Sequence, residues 1–311
     1  MSQYGQGGKI VLERDYDRER FAFGDNWSKF LSHIDGERIA ESERGLLDML
    51  GPDSLNGQTF LDIGSGSGLS SLAARRLGAR VHSFDYDPAS VSCTNELRRR
   101  YFPGDRQWTV EQGSVLDETF MRSLGKFDVV YSWGVLHHTG DLWTALGRAA
   151  EAVSLGGTLF VAIYNDSGVA SRLWRFEKRL YVRSPAPIRL LLIAAIGGAL
   201  ELRHAAERVA RGGGPLLFKH WRDRKRTRGM SVWYNLVDWV GGYPYEFAKP
   251  GQVFSFLRPR GFELEVMETY NGSGPNNQYV FRKTGAPDSR ASMETAGAQT
   301  PPPMRPQVSG A

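Results

Sequence analysis

Phe60-Leu61-Asp62-Ile63-Gly64-Ser65-Gly66-Ser67-Gly68-Leu69 is an apolar run that ends in alternating glycines and then breaks into a helical pattern. Glycine adopts positive φ angles without steric cost and carries no Cβ to obstruct a ligand lying on the backbone. A helix opening directly after such a turn sets its free N–H groups and the positive end of its dipole beside that ligand. Leu69, Leu72, Ala73 and Leu77 supply the helical spacing, and they form a face that packs on a sheet.

Downstream, Arg80 to Phe84 reads as a second strand ending at Asp85, and Asp87-Pro88 as the cap and first turn of a helix reaching about Tyr101. Trp108 to Glu111 and Phe127 to Ser132 read as the third and fourth strands, with a helical segment around Val115 to Leu124 between them. Asp141 opens an amphipathic helix through Leu142, Ala145, Leu146, Ala149 and Val153, which Gly156-Gly157 is expected to stop. Thr158 to Tyr164 follows as a fifth strand, apolar enough to be covered on both faces. This alternation predicts an α/β fold with a parallel doubly wound sheet and a ligand at the carboxyl ends of its strands. Helix and strand return at Pro250 to Leu257, Phe262 to Thr269 and Gln278 to Arg282. The turn chemistry of Asn271-Gly-Ser-Gly-Pro275 suits an antiparallel pairing of the last two strands.

The flanks are expected to be simpler. Residues 1–9 have no apolar core, which argues against a signal peptide, and are expected to be disordered, like the alanine- and proline-rich residues 284–311. Residues 10–51 read as an N-terminal helical cover carrying Phe21, Phe23, Trp27 and Phe30. Composition is that of a globular protein, with 41% hydrophobic and 23% charged residues. Cys93 is the sole cysteine and excludes an internal disulfide, which suits a reducing cytoplasm. The most apolar window, Ile188 to Leu202, is shorter than the roughly 20 residues a membrane-spanning helix needs.

The net charge of +5 is unevenly placed, because residues 165–249 carry sixteen Lys/Arg against seven Asp/Glu and four of the eight tryptophans. As a substrate lid, this insertion offers the aromatic run Trp233 to Tyr245 with turns that act as hinges. As a membrane-surface element, peripheral to the inner membrane face, it pairs apolar Ile188 to Val209 with arginines and a polybasic Arg222 to Arg228. As a nucleic-acid groove, it has Lys219 to Arg228 but no accompanying RNA-binding module.

The glycines do not fit the dinucleotide fingerprint, whose last position falls on Leu69 or Ser71. Asp85, 23 residues after Asp62, stands where a carboxylate accepts hydrogen bonds from two ribose hydroxyls, or else only caps the next helix with Asp87. With Asp62-x-Gly64-x-Gly66-x-Gly68 after a strand and an acid ending the next, the chain resembles the class I S-adenosylmethionine-dependent methyltransferases. Tyr131 to His138 and Ala162 to Asp166 are similar in particular to a bacterial branch grouped with the ubiquinone-biosynthesis O-methyltransferases. The resemblance covers residues 58–164 and 250–283, leaving the N-terminal cover, the insertion and the two termini outside it. It implies a Rossmann-like seven-stranded sheet, mostly parallel with an antiparallel last strand, and S-adenosyl-L-methionine as cofactor. It also implies roles for particular residues. Asp62 would position the methionine ammonium group, while Gly64, Ser65, Gly66 and Gly68 would line the methionine and ribose. Asp85 and Tyr86 would hold the ribose side, Gly113 and Ser114 the adenine, with Trp133 beside them. Many relatives have aspartate where Ser114 stands, so a hydroxyl or backbone group takes over there.

His137 and His138 follow strand four at the catalytic edge, where an imidazole near its ordinary pKa of about 6.5 takes a hydroxyl proton, or one ring packs under the cofactor. Trp133, Tyr164 and Asn165 at the ends of strands four and five, with Trp27 closing over them, are the candidate walls of an acceptor pocket, Trp27 alternatively stapling the cover to the core. No metal cluster has ligand spacing. The expected activity is O-methylation of a small-molecule, glycan or lipid-linked intermediate. The alternatives are RNA methylation and a non-catalytic methyltransferase-like binding protein.

Overall fold

The computed structural model describes residues 21, 31, 34–52, 55–210, 212, 232–269 and 276–285, with only the backbone at 232–235 and 238. The expectations for residues 1–9, the 271–275 turn, the polybasic 219–228 run, Trp27 and the tail beyond 285 lie outside these residues.

Seven strands form one sheet in the order β3-β2-β1-β4-β5-β7-β6. They are β1 (Thr59–Ile63), β2 (Arg80–Asp85), β3 (Trp108–Gln112), β4 (Phe127–Trp133), β5 (Val153–Tyr164), β6 (Phe262–Glu268) and β7 (Asn276–Lys283). The first five pair in parallel and β7 runs antiparallel between β5 and β6, as the turn chemistry and alternation anticipate. Strand order reverses between β1 and β4, which opens a crevice at their carboxyl ends.

Alternation along each strand sends side chains to two separate cores. On one face, α1 (Gly36–Leu50), α2 (Leu69–Arg76) and α3 (Pro88–Tyr101) bury Ile39, Leu46, Leu72 and Leu97 against Phe60, Tyr131 and Phe160. On the other, α4 (Glu118–Ser123), α5 (Leu142–Glu151) and α9 (Pro250–Leu257) bury Met121, Leu146 and Val253 against Leu61, Val130 and Leu159. Each fully buried Leu, Val or Phe contributes about 1.5–3 kcal/mol. The caps read from sequence are in place: Asp87 accepts from Ala89 N at 2.9 Å and Asp141 from Thr144 N at 3.1 Å.

One boundary differs from expectation. Gly156-Gly157 does not stop α5, which ends at Glu151, and β5 begins at Val153 rather than Thr158. The glycines instead make a bulge in β5, the register stepping from Phe127↔Val153 to Val129↔Thr158. Gly156 has φ +76°, and a Cβ on Gly157 would lie 2.8 Å from the Asp128 carbonyl, so neither position accepts a larger residue easily.

After β5 the chain leaves the sheet for α6 (Val169–Arg183), α7 (Ala186–Ala210) and α8 (Val232–Gly241). These helices have a small core of their own, Tyr181, Ile193, Leu236 and Val240. The chain then returns to the sheet's carboxyl edge, where Ala248 N donates to the Tyr164 carbonyl at 3.0 Å and Asp166 N to the Ala248 carbonyl at 3.2 Å.

Candidate active site at the carboxyl edge of the sheet

The glycine turn folds back on the end of β2. Gly64 N and Ser65 N both donate to the Phe84 carbonyl, at 2.9 and 3.1 Å, and Gly66 N donates to Asp85 Oδ2 at 2.9 Å. Gly64, Gly66 and Gly68 have φ of +78°, +55° and +82°, a region that L side chains enter at a cost. Space reinforces the choice at two of them. A Cβ on Gly64 would come within 2.4 Å of Val135 Cγ1, and one on Gly68 within 2.8 Å of Thr94 Cα. Glycine at 64 and 68 is therefore demanded by packing as well as by backbone conformation. Ser65 Oγ hydrogen-bonds Thr94 Oγ1 at 2.9 Å and pins the turn to α3.

Asp85 receives one backbone N–H on each oxygen, from Gly66 and, at 2.9 Å, from Asp87 N. Both oxygens of this carboxylate are thus held in place by the backbone on either side of the turn. Asp87, not Asp85, caps α3, which separates the two roles that sequence left open. Asp62 is buried and accepts from Ser71 Oγ at 2.5 Å, and Ser71 in turn meets Ser83 Oγ at 2.7 Å. Burial, with Asp85 nearby, raises its pKa to about 7 although the Ser71 hydroxyl opposes the shift. Gly113 N donates to the Asp85 carbonyl at 3.0 Å, and a Cβ there would strike Phe120. Ser114 Oγ accepts from Leu116 N at 3.2 Å and so shapes its own turn. Tyr86 and Trp133 are exposed at the ends of β2 and β4, and Trp133 Nε1 donates to Gln278 Oε1 at 2.8 Å.

The two histidines occupy a short 3-10 turn, Leu136–His138, after β4. The His137 ring is fully buried, 3.9 Å from the Tyr164 ring centroid, which in turn lies 4.9 Å from Tyr245. Its Nδ1 accepts from Tyr164 N at 3.3 Å, so the neutral ring carries its proton on Nε2. The expectation of an ordinary imidazole pKa does not hold for His137. Burial, then the His138 and Lys178 charges, hold it well below the usual value. His138 is oriented differently: Nδ1 lies 2.6 Å from the Pro244 carbonyl, a partner that only accepts, so this nitrogen bears the proton.

Several contributors came unannounced by the sequence. Glu246, in the returning segment, donates its N–H to the His137 carbonyl at 2.9 Å, and its Oε2 accepts from Leu142 N at 3.0 Å at the start of α5. Lys178 is buried on α6, donating to the Trp239 carbonyl, with its ammonium 5.2 Å from the Tyr245 ring centroid. Asn165, a candidate already named from the sequence, accepts through Oδ1 from Asn277 Nδ2 at 3.1 Å. Lysine is ordinarily solvated, so nothing local marked Lys178. The aromatic run that contains Tyr245 was the one usable signal. Among the described residues, no group of three or more metal-ligating side chains forms.

An open α/β sheet with a glycine turn and an acidic strand end at its switch point defines a nucleotide-type binding domain. Residues 61–159 match the model of a methyltransferase domain family. The chain is 34% identical over 120 residues to a ubiquinone biosynthesis O-methyltransferase of Methylobacterium sp. (strain 4-46), covering 38% of this chain and 45% of that one. It is 33% identical over 133 residues to the corresponding Caulobacter vibrioides protein, covering 42% and 50%. The chain thus spans about half the length of the curated relatives it matches. Among solved structures, the magnesium protoporphyrin IX methyltransferase of Synechocystis PCC 6803, crystallised with bound SAH, aligns with a TM-score of 0.51 at 15% identity, over 88% of this chain and 99% of that one. Residues 61–159 are thus similar to a methyltransferase domain, on a fold shared with that solved methyltransferase.

Proposed function

We propose that the protein is an S-adenosylmethionine-dependent O-methyltransferase acting on a small organic acceptor, including a glycan- or lipid-linked one. The observation that carries the reading is the junction of Gly66 N with Asp85 at the switch point, which sets a close-approach glycine turn directly beside a carboxylate at the end of the neighbouring strand. S-adenosylmethionine, when bound, would supply a sulfonium methyl, the acceptor oxygen bonding to that carbon in line as its bond to sulfur breaks and S-adenosylhomocysteine leaves.

On this reading Gly64 to Gly68 lie along the methionine and ribose, Asp85 accepts from the ribose hydroxyls, and the Gly113-Ser114 turn borders the adenine. Asp62 acts through Ser71 and the adjoining backbone. Transfer between two held partners needs mainly positioning. The His137–Tyr164–Tyr245 stack gives the acceptor side an apolar wall. His138 is the better base of the two: a proton fixed on Nδ1 by Pro244 leaves the lone pair on Nε2, whereas His137 is weakly basic and serves as wall. The insertion, residues 165–249, closes the acceptor side as a lid, with Lys178 and Tyr245 on its inner surface.

Isothermal titration with S-adenosylmethionine, followed by acceptor-dependent release of S-adenosylhomocysteine over phenolic and alcoholic acceptors, tests the proposal. Absence of cofactor binding refutes it. Binding without turnover on any acceptor favours a methyltransferase-like binding protein.

A further inference from the structure

The outward face of the insertion is unusual for a surface bathed in water. On α6, Val169, Leu173, Phe176 and Leu180 follow one another at four, three and four residues and are 69%, 63%, 67% and 43% exposed. On α7, Ile188, Leu191 and Leu202 are 44%, 68% and 67% exposed. At about 100° per residue the four α6 side chains form one stripe. Arg172, Arg179 and Arg183, all exposed, lie about 70° to one side of it, while buried Lys178 and Ser171 lie opposite. The buried positions of both helices, among them Tyr181 and Ile193, pack with Leu236 and Val240 of α8, so the apolar stripes face away from it.

The charges beside the stripes choose the occupant. The acids of the two helices are Glu177, Glu201 and Glu207, and only Glu207 is exposed, 3.3 Å from Arg203 as an ion pair. A second copy of this face would set arginine against arginine. An apolar stripe shouldered by arginines, whose stems extend along apolar surface while their heads reach outward, matches an anionic bilayer surface. No helix among the described residues is long and apolar enough to cross a membrane, so the contact lies in the interface.

We propose that the outer face of α6 and α7 docks the protein on anionic phospholipid membranes, with Phe176 and Leu173 inserted at the headgroup boundary and Arg172, Arg179 and Arg183 against lipid phosphates. The inner face of the same helix carries Lys178 beside Tyr245, so docking brings the candidate acceptor side next to the bilayer. The inference rests on this surface and not on the methyltransferase reading, and its test needs no turnover.

The full chain is sedimented with vesicles of phosphatidylcholine containing 30% phosphatidylglycerol and with phosphatidylcholine alone. Expected are capture by the anionic vesicles, capture falling as salt rises, and a loss of about a hundredfold in partitioning when Arg172, Arg179 and Arg183 are all changed to Gln, at roughly fivefold each. Leu173→Gln with Phe176→Gln is expected to reduce capture at least tenfold while leaving cofactor titration and melting temperature unchanged. Equal recovery from both vesicle types overturns the proposal. So does capture that survives both sets of substitutions, which moves the contact elsewhere, or a stable dimer in light scattering that Phe176→Gln dissociates.

Discussion

The backbone N–H of Gly66 donates to Asp85 Oδ2 at 2.9 Å, tying the glycine turn to the end of the neighbouring strand. One carboxylate thereby shapes the turn and faces the ligand that the turn is proposed to hold. Asp85→Ala removes both functions. Hydrogen bonds to charged groups contribute about 1.5–3 kcal/mol each, so S-adenosylmethionine affinity is expected to fall at least tenfold by titration calorimetry. Asp87→Ala, which removes only the helix cap, is expected to cost about 1 kcal/mol of stability with the cofactor Kd within about twofold.

Gly64→Ala meets two obstacles, the positive φ and Val135. Left-handed backbone costs roughly 1–2 kcal/mol for an L-residue and overpacking about 1–3 kcal/mol. Urea denaturation is expected to show a loss of about 2–5 kcal/mol by the same principles. Pairing the change with Val135→Ala is expected to recover the steric part alone, a positive coupling in a double-mutant cycle.

The neighbouring histidines are expected to separate by experiment. His138→Ala lowers kcat by about a hundredfold or more, the usual range for a positioned base, with cofactor Kd unchanged. If kcat holds, His138 is not the base. His137, held well below the usual imidazole range by burial, is expected to be neutral with its proton on Nε2 where an exposed histidine is charged. Nitrogen-15 spectra of labelled histidine read this directly, and a His137 ring titrating near 6.5 contradicts it.

Burial raises the Glu246 pKa to about 7, against the Leu142 N–H and the Arg175 charge and with Asp141 adding to it. A carboxyl whose folded pKa exceeds its unfolded value of about 4.5 stabilises fully below that unfolded value. This contribution is lost as pH rises through about 7. Relative to Glu246→Gln, the native protein should therefore lose melting temperature between pH 5 and pH 8. The Gln variant keeps an acceptor for Leu142 N and flattens that difference; a difference independent of pH refutes the assignment.

Local chemistry made much of this protein legible. Hydrophobic period, Asp87-Pro88 and the glycine turn located β1 to β4 and their helices to within a residue or two at most ends. Gly156-Gly157 misled because glycine pairs end helices and form bulges alike, and only pairing with β4 distinguishes the two. Lys178, Glu246 and Pro244 reach the histidines across roughly 40 to 110 residues of chain, a distance that neither periodicity nor motif spacing spans.

By itself the sequence determined the glycine turn and the strands around it: positive φ angles, the alternating strands and an acid at the end of β2 are properties of neighbouring residues. The tertiary structure decided the surroundings of the two histidines. Burial and the orientation of a ring nitrogen depend on what distant segments bring alongside, so the distinction between a neutral His137 and a His138 held by Pro244 arose only once the insertion had folded back onto the sheet.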